Sequence, residues 1–180
     1  GTSEVTLLEM TAAYATIANG GAPVIPYFIT KIKNDVSLEL YVRRSSGFGR
    51  VISHDAIANI KESLREVVKS GTGRNANVED NIYGKTGTSQ NFRDAWFVGF
   101  DDRYVIGVWI GNDDNTPTAF TGSSGALTVW TEFMRSIPQS SVAMVQPESI
   151  HYYWFDMQSG KRTDEQCKEA VQLPIWGDAS

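Results

Sequence analysis

The sequence predicts an α+β fold in which an antiparallel sheet is flanked by helices. The sheet is predicted by two apolar, aromatic-rich runs, Asp94-Ala95-Trp96-Phe97-Val98-Gly99-Phe100 and Tyr104-Val105-Ile106-Gly107-Val108-Trp109-Ile110-Gly111, preceded by Tyr83-Gly84-Lys85-Thr86-Gly87-Thr88-Ser89. Between these runs lie Asn91-Phe92-Arg93 and Asp101-Asp102-Arg103, short polar gaps of the length an antiparallel meander needs. The helices are predicted by stretches on both sides of the runs, where apolar residues recur at helical spacing behind capping residues.

Thr6-Leu7-Leu8-Glu9 is a capping box, in which the threonine and the glutamate each satisfy an N–H group that a helix start leaves unpaired. Met10, Tyr14 and Ile17 follow at helical spacing and Asn19-Gly20-Gly21 supplies a left-handed stop, so a first helix is expected over 7–18. Pro23 and Pro26 force an extended exit. Phe28-Ile29-Thr30-Lys31-Ile32-Lys33 and Leu38-Glu39-Leu40-Tyr41-Val42-Arg43, around Asn34-Asp35, are read as a small solvent-exposed hairpin without chemistry. Ser53 caps a second helix with Asp55 in its first turn, where negative charge complements the helix dipole. Ile57, Ile60, Leu64, Val67 and Val68 form its apolar stripe, and Ser70-Gly71 ends it.

Thr72 to Asp80 is polar and reads as a surface loop leading into the Lys85 strand. After the meander, Gly111 to Pro117 is rich in turn residues. Ser123 or Ser124 then opens a last helix that carries Leu127, Trp130, Phe133 and Met134 until Pro138. A composition change near Ile137 to Val145 divides the chain into a unit over 1–137 and a C-terminal extension over 138–180. In the extension, Ser149 to Asp156 and the turn Gln158-Ser159-Gly160-Lys161 predict a strand pair, and Glu169 to Pro174 reads as a packed segment.

A net charge of −5 with no basic stripe argues against nucleic acid as a partner. No apolar run reaches the roughly 18 residues of a membrane span, and residues at the start carry no signal-peptide pattern. Cys167 is the single cysteine and cannot make an internal disulfide. Asp101, Asp102, Asp113 and Asp114 do not match the calcium-loop template and read as solvated turn carboxylates. His54 and His151 lack partners at metal-ligand spacing, so no metal is expected, and no organic cofactor is implied. Trp96, Trp109 and Trp130 are expected to pack between sheet and helices.

The chemistry concentrates in the first strand, which sets a lysine, two threonine hydroxyls and a close-approach glycine side by side. Such an edge can clamp a carboxylate. Taken alone, Lys85 and the threonines also fit an ordinary exposed edge, since threonine is a good strand former and lysine protects edges from pairing. Gly71-Thr72-Gly73-Arg74 lacks the spacing of a phosphate-binding loop and reads as a structural loop bordering a cleft, with Arg74 a candidate substrate contact.

Lys-Thr-Gly is one signature of penicillin-binding proteins and related serine β-lactamases. Here it is flanked by Glu9-Met10, Ala13-Tyr14-Ala15, Ala18-Asn19-Gly20-Gly21, Val67-Val68, Gly71-Thr72-Gly73-Arg74, Arg93-Asp94-Ala95-Trp96-Phe97-Val98-Gly99, Gly111-Asn112-Asp113-Asp114, Thr121-Gly122 and Trp130-Thr131-Glu132-Phe133-Met134. In this order and spacing the chain closely resembles the C-terminal half of the transpeptidase domain of class A bifunctional penicillin-binding proteins, strongly over 1–137 and more loosely beyond.

The resemblance implies a partial penicillin-binding transpeptidase fold and acyl transfer in peptidoglycan cross-linking, with stem peptides as substrates and β-lactam antibiotics as acylating ligands. It makes Lys85 part of an acid-base network and Thr88 N–H one oxyanion donor. It gives the terminal carboxylate to the Thr86 and Thr88 hydroxyls, close substrate approach to Gly87, and a place in the binding strand to Ser89. It places the domain in the periplasm or on the outer face of the cytoplasmic membrane, anchored through a segment outside these residues. A penicillin-recognising sensor without catalysis and a serine β-lactamase are the alternatives. No serine is followed by lysine at the third position. The Ser-x-x-Lys nucleophile and the Ser-x-Asn motif are therefore expected N-terminal to the sequence, and the bared sheet is expected to need that missing half or to self-associate. Alone, the 180-residue chain is expected to form no stable acyl-enzyme with a labelled penicillin; a stoichiometric mass increase on one of its serines would contradict this.

Overall fold

Helix α1 (Leu7–Ala18) has the bounds its capping box predicts. The Thr6 hydroxyl accepts the Glu9 N–H at 3.2 Å, and a Glu9 carboxylate oxygen accepts the Thr6 N–H at 2.8 Å. The computed structural model describes residues 4–44, 48–76, 81–137 and 150–176. Past the helix, Gly21 has φ +89° and a Cβ there would lie 2.5 Å from the Ile52 carbonyl oxygen, so the chain turns at a place only glycine fills.

Strands β1 (Lys31–Lys33) and β2 (Glu39–Val42) form the expected hairpin, shorter than the sequence pattern suggests and exposed at every residue. Its turn is held by the Asn34 side-chain oxygen, which accepts the N–H groups of Val36 and Leu38. Helix α2 (His54–Lys69) begins where the Ser53 hydroxyl accepts the Ala56 N–H at 3.3 Å. Its buried stripe includes Ile57, Leu64 and Val68 as expected, and also Glu62.

The meander follows: β3 (Tyr83–Thr88), β4 (Asp94–Phe100) and β5 (Val105–Gly111), antiparallel in the order β3-β4-β5. Lys85 lies opposite Val98, Gly87 opposite Trp96, and Trp96 opposite Trp109. Because side chains alternate across a strand, this register puts Lys85, Trp96, Val98 and Phe100 on one face and Thr86, Thr88, Phe97 and Ile106 on the other.

Each face has its own core. On the Phe97 face, Phe97, Leu127, Trp130, Met134 and Val68 pack together, with Phe97 edge-on to Trp130 at 5.1 Å between ring centroids. On the Lys85 face, Tyr83 stacks on Phe100 at 4.9 Å and packs with Leu64, Tyr14 and Ile17. Helix α1 approaches β5 so closely that a Cβ on Gly107 would lie 2.3 Å from the Thr11 hydroxyl. Helix α2 supplies Val68 to one core and Leu64 to the other, so it straddles the outer edge of β3 at the Tyr83 end.

Helix α3 (Leu127–Ser136) is preceded by a π-helical turn over Gly122–Ala126. Its cap is Thr121 rather than Ser123 or Ser124: the Thr121 hydroxyl accepts the Ser124 N–H at 3.1 Å, and the Ser124 hydroxyl accepts the Thr121 N–H at 3.0 Å. Serine here does the work usually given to glutamate.

The C-terminal residues form β6 (Ile150–Asp156), β7 (Arg162–Thr163) and β8 (Ala170–Trp176), ordered β7-β6-β8. The stretch Glu169 to Pro174, read as a packed segment, falls largely on β8, which pairs along the length of β6. The composition boundary lies, beyond Ile137, outside the described residues. This sheet docks on α2 through a polar cluster. Arg65 donates to the Tyr152 hydroxyl at 2.7 Å and to the Glu62 carboxylate, and the Tyr152 hydroxyl donates to the same carboxylate. The Glu62 hydrogen bond holds the Arg65 guanidinium above its ordinary pKa, while burial and then the bond to Glu62 raise the Tyr152 phenol. Tyr152→Phe removes one donor from a carboxylate whose side chain is only 6% exposed. That variant is expected to lose about 1–3 kcal/mol in denaturant unfolding, and an unchanged midpoint would show that the cluster contributes nothing to docking.

Candidate active site

Among the described residues, β3 has no strand neighbour on its outer side. Helix α2 shields that edge near Tyr83 and ends at Lys69, before the level of Thr86. Ser89 N–H donates to the Asp94 carbonyl, toward β4. By the alternation of a strand, Thr88 and Thr86 then turn their backbone groups away from β4, to the open edge. Lys85 marks the same edge, since its ammonium donates to the Thr86 carbonyl at 2.8 Å.

A cleft of about 600 Å³ runs beside this edge. Lys85, Thr86, Gly87, Thr88 and Ser89 all line it, together with Glu4 and Val5 ahead of α1 and Met10 and Tyr14 on it. Burial raises the Tyr14 phenol above its ordinary pKa, so it stands neutral in the wall. Trp96 also lines the cleft instead of being closed between sheet and helix, because its face of the sheet is only partly covered by α1. Trp109 departs further from expectation: it is 39% exposed and donates its indole N–H to Asp94 at 2.9 Å. Trp130 alone of the three is fully buried.

The side chains of Lys85 and the threonines leave opposite faces of β3 and share only its edge. The Thr86 hydroxyl is 2.7 Å from the Thr72 hydroxyl. The Thr88 hydroxyl accepts the Gly122 N–H at 2.9 Å, which leaves its own proton available to an anion. Gly87 has a reason inside the fold, since a Cβ there would lie 3.1 Å from the Trp96 Cβ. The Ser89 hydroxyl accepts the Asp94 N–H at 2.8 Å and closes the turn to β4. Arg74 is exposed and does not line the cleft; from its loop it is the Thr72 hydroxyl that reaches the strand, at Thr86. The Ser-x-Asn pattern, expected only N-terminal to these residues, does occur in them as Ser89-Gln90-Asn91, but there it forms the β3–β4 turn, with Asn91 at φ 60°. No grouping of three or more potential metal ligands occurs among the described residues.

The family described as Penicillin binding protein transpeptidase domain matches residues 1–135. The chain belongs to that family. Penicillin-binding protein 1A of Aquifex aeolicus is 41% identical over 83% of this chain, and penicillin-binding protein 1B of Vibrio cholerae 32% identical over 98% of it. The chain spans 23% of the length of each. The crystal structure of penicillin-binding protein 1A from Haemophilus influenzae matches 96% of this chain and 32% of its own, with a TM-score of 0.79 and 23% identity. That likeness bears on the fold, and it agrees with the mixed helix and antiparallel-sheet architecture that the sequence predicts.

The Thr88 clamp rests on a close backbone approach. A Cβ on Gly122 would lie 2.5 Å from the carbonyl oxygens of both Gly87 and Trp96. Gly122→Ala is therefore expected to push the turn off the sheet and cost about 1–3 kcal/mol of stability. Thermal unfolding measures this, and a melting point equal to the parent's would mean that the contact relaxes without cost.

Proposed function

We propose that this chain supplies the Lys-Thr-Gly wall of a peptidoglycan D,D-transpeptidase. The observation that supports the reading is the coincidence of a family match over 1–135 with a cleft lined by every residue from Lys85 to Ser89. In the proposed reaction, a serine belonging to a Ser-x-x-Lys motif, which residues 1–180 do not contain, attacks the carbonyl of a terminal D-Ala-D-Ala bond. D-Alanine leaves, and an amine of a neighbouring stem peptide takes the acyl group. β-Lactams acylate the same serine.

Each residue of the strand then has a physical task. Thr88 N–H, turned to the open edge, donates to the oxyanion that forms as the carbonyl is attacked, where loss of one such donor costs on the order of 3 kcal/mol. The Thr86 and Thr88 hydroxyls donate to the substrate's terminal carboxylate. Lys85 adds positive potential beside both and takes part in proton transfer. Gly87 keeps the strand open to an extended peptide, and Ser89 fixes the strand's end. Residues 1–137 form this half-domain and 138–180 an extension, of which β6 meets α2 through Tyr152. The remaining half of the domain covers what the isolated chain leaves bare, and the assembly works on the outer side of the cytoplasmic membrane.

The test is Thr88→Val in the complete protein, which keeps the side-chain shape and removes the hydroxyl. A charge-assisted hydrogen bond is worth about 1.5–3 kcal/mol. Acylation by penicillin is expected to slow roughly tenfold to a hundredfold. Unchanged kinetics in a folded variant would remove this threonine from the carboxylate site.

A further inference from the structure

The two threonines of the strand are held in parallel ways. The Thr88 hydroxyl takes its hydrogen bond from a backbone N–H, that of Gly122, and an N–H can only donate. Thr88 must therefore accept there, and its own proton is the part of the group left for an incoming anion. Thr86 makes its contact with a second hydroxyl, that of Thr72, at 2.7 Å, and either oxygen of this pair can donate. If Thr86 donated to Thr72, a carboxylate in the cleft would meet its lone pairs and be repelled. If Thr72 donates, the Thr86 proton is released to the cleft, matching Thr88.

Thr72 is also built into place. Gly71 N–H donates to the Glu66 carbonyl at 3.3 Å and Gly73 N–H to the Val67 carbonyl at 3.0 Å, so the loop is tied back onto the end of α2. A Cβ on Gly71 would lie 2.9 Å from that Val67 oxygen. Further along, Ala76 is fully buried in the core and the Thr131 hydroxyl donates to the Asn75 carbonyl at 3.4 Å. The loop is thus anchored on both sides of Thr72, while Thr72 itself is exposed at the edge of β3.

We infer that Thr72 is a positioning residue: its hydroxyl donates to Thr86 and thereby turns the Thr86 proton toward the substrate carboxylate, as Gly122 N–H does for Thr88. The inference rests on the proposal that the Thr86 hydroxyl receives that carboxylate. Thr72 itself does not line the cleft, so its part is to act through Thr86.

The experiment uses the complete protein and the second-order rate of acylation by a fluorescent penicillin, in Thr72→Val, Thr72→Ser, Thr86→Val and the double Thr72→Val/Thr86→Val variant. A single neutral hydrogen bond sets the scale, so Thr72→Val is expected to slow acylation roughly threefold to tenfold. Thr72→Ser restores the hydroxyl and is expected within about twofold of the parent. In the Thr86→Val background, adding Thr72→Val is expected to change nothing, because the group it orients is gone. Parent-like acylation by Thr72→Val beside a slowed Thr86→Val overturns the positioning role and leaves the carboxylate site standing. Equal slowing by Thr72→Val in both backgrounds, or failure of serine to rescue, also overturns it. Parent-like acylation by Thr86→Val overturns the carboxylate site itself, and the positioning role with it.

Discussion

Phe97 and Trp130 sit over a slot made by two glycines paired across β3 and β4. Gly84 lies opposite Gly99 in the ladder. A Cβ on Gly84 would fall 2.6 Å from the Phe97 ring, and one on Gly99 would fall 2.9 Å from the Trp130 indole. The rings therefore fit only when these two residues stand opposite each other beneath them. Trp130 is locked further by its N–H, which donates to the Ile106 carbonyl of β5 at 3.1 Å. Truncating either ring in such a core costs about 3–5 kcal/mol, a large part of a domain's stability of about 5–15 kcal/mol. The slot also fixes the chemistry, because a slip of β3 by one residue would exchange its faces. Lys85 would then point at Phe97 and Trp130, where an unpaired ammonium is costly, and the threonines would turn toward α1.

With the register set, the site follows from how the outer edge of β3 is covered. An unpaired edge presents N–H and C=O groups to any passing strand. Here α2 straddles the edge at Tyr83, the Thr72 loop continues the cover to Thr86, and the Gly122 turn closes against the far face at Thr88. What stays open is the edge of Thr86 and Thr88 with the cleft before it. On the proposed function, exposed edge groups that would elsewhere invite aggregation give an extended peptide a place to bind. The Thr121 cap and the glycine at 122 serve this arrangement as much as they serve α3, since they bring one backbone N–H to the Thr88 hydroxyl.

Much of this was legible in the sequence because the signals are local. The bounds of α1 follow from Thr6 and Glu9, the start of α2 from Ser53, and the three strands from aromatic runs with short polar gaps. Lys85 to Ser89 are consecutive on one strand, and all of them line one cleft. Most of the remainder depends on partners distant in sequence. Glu62 reads as a surface residue of a helix until Tyr152 and Arg65 close over it. Thr72 is one polar residue in a loop until Thr86 lies beside it. Trp96 and Trp109 were placed under helices by their size alone, whereas α1 covers only part of their face. The cap at Thr121 was missed because serine replaces the usual glutamate at the reciprocal position.

The role of the β3 edge is tested by a crystal structure of the complete transpeptidase domain acylated by a penicillin. The drug's carboxylate is expected within about 3 Å of the Thr86 and Thr88 hydroxyls, and the acyl oxygen at a similar distance from Thr88 N–H. A carboxylate held elsewhere, with both hydroxyls free and the edge of β3 unoccupied, would contradict it.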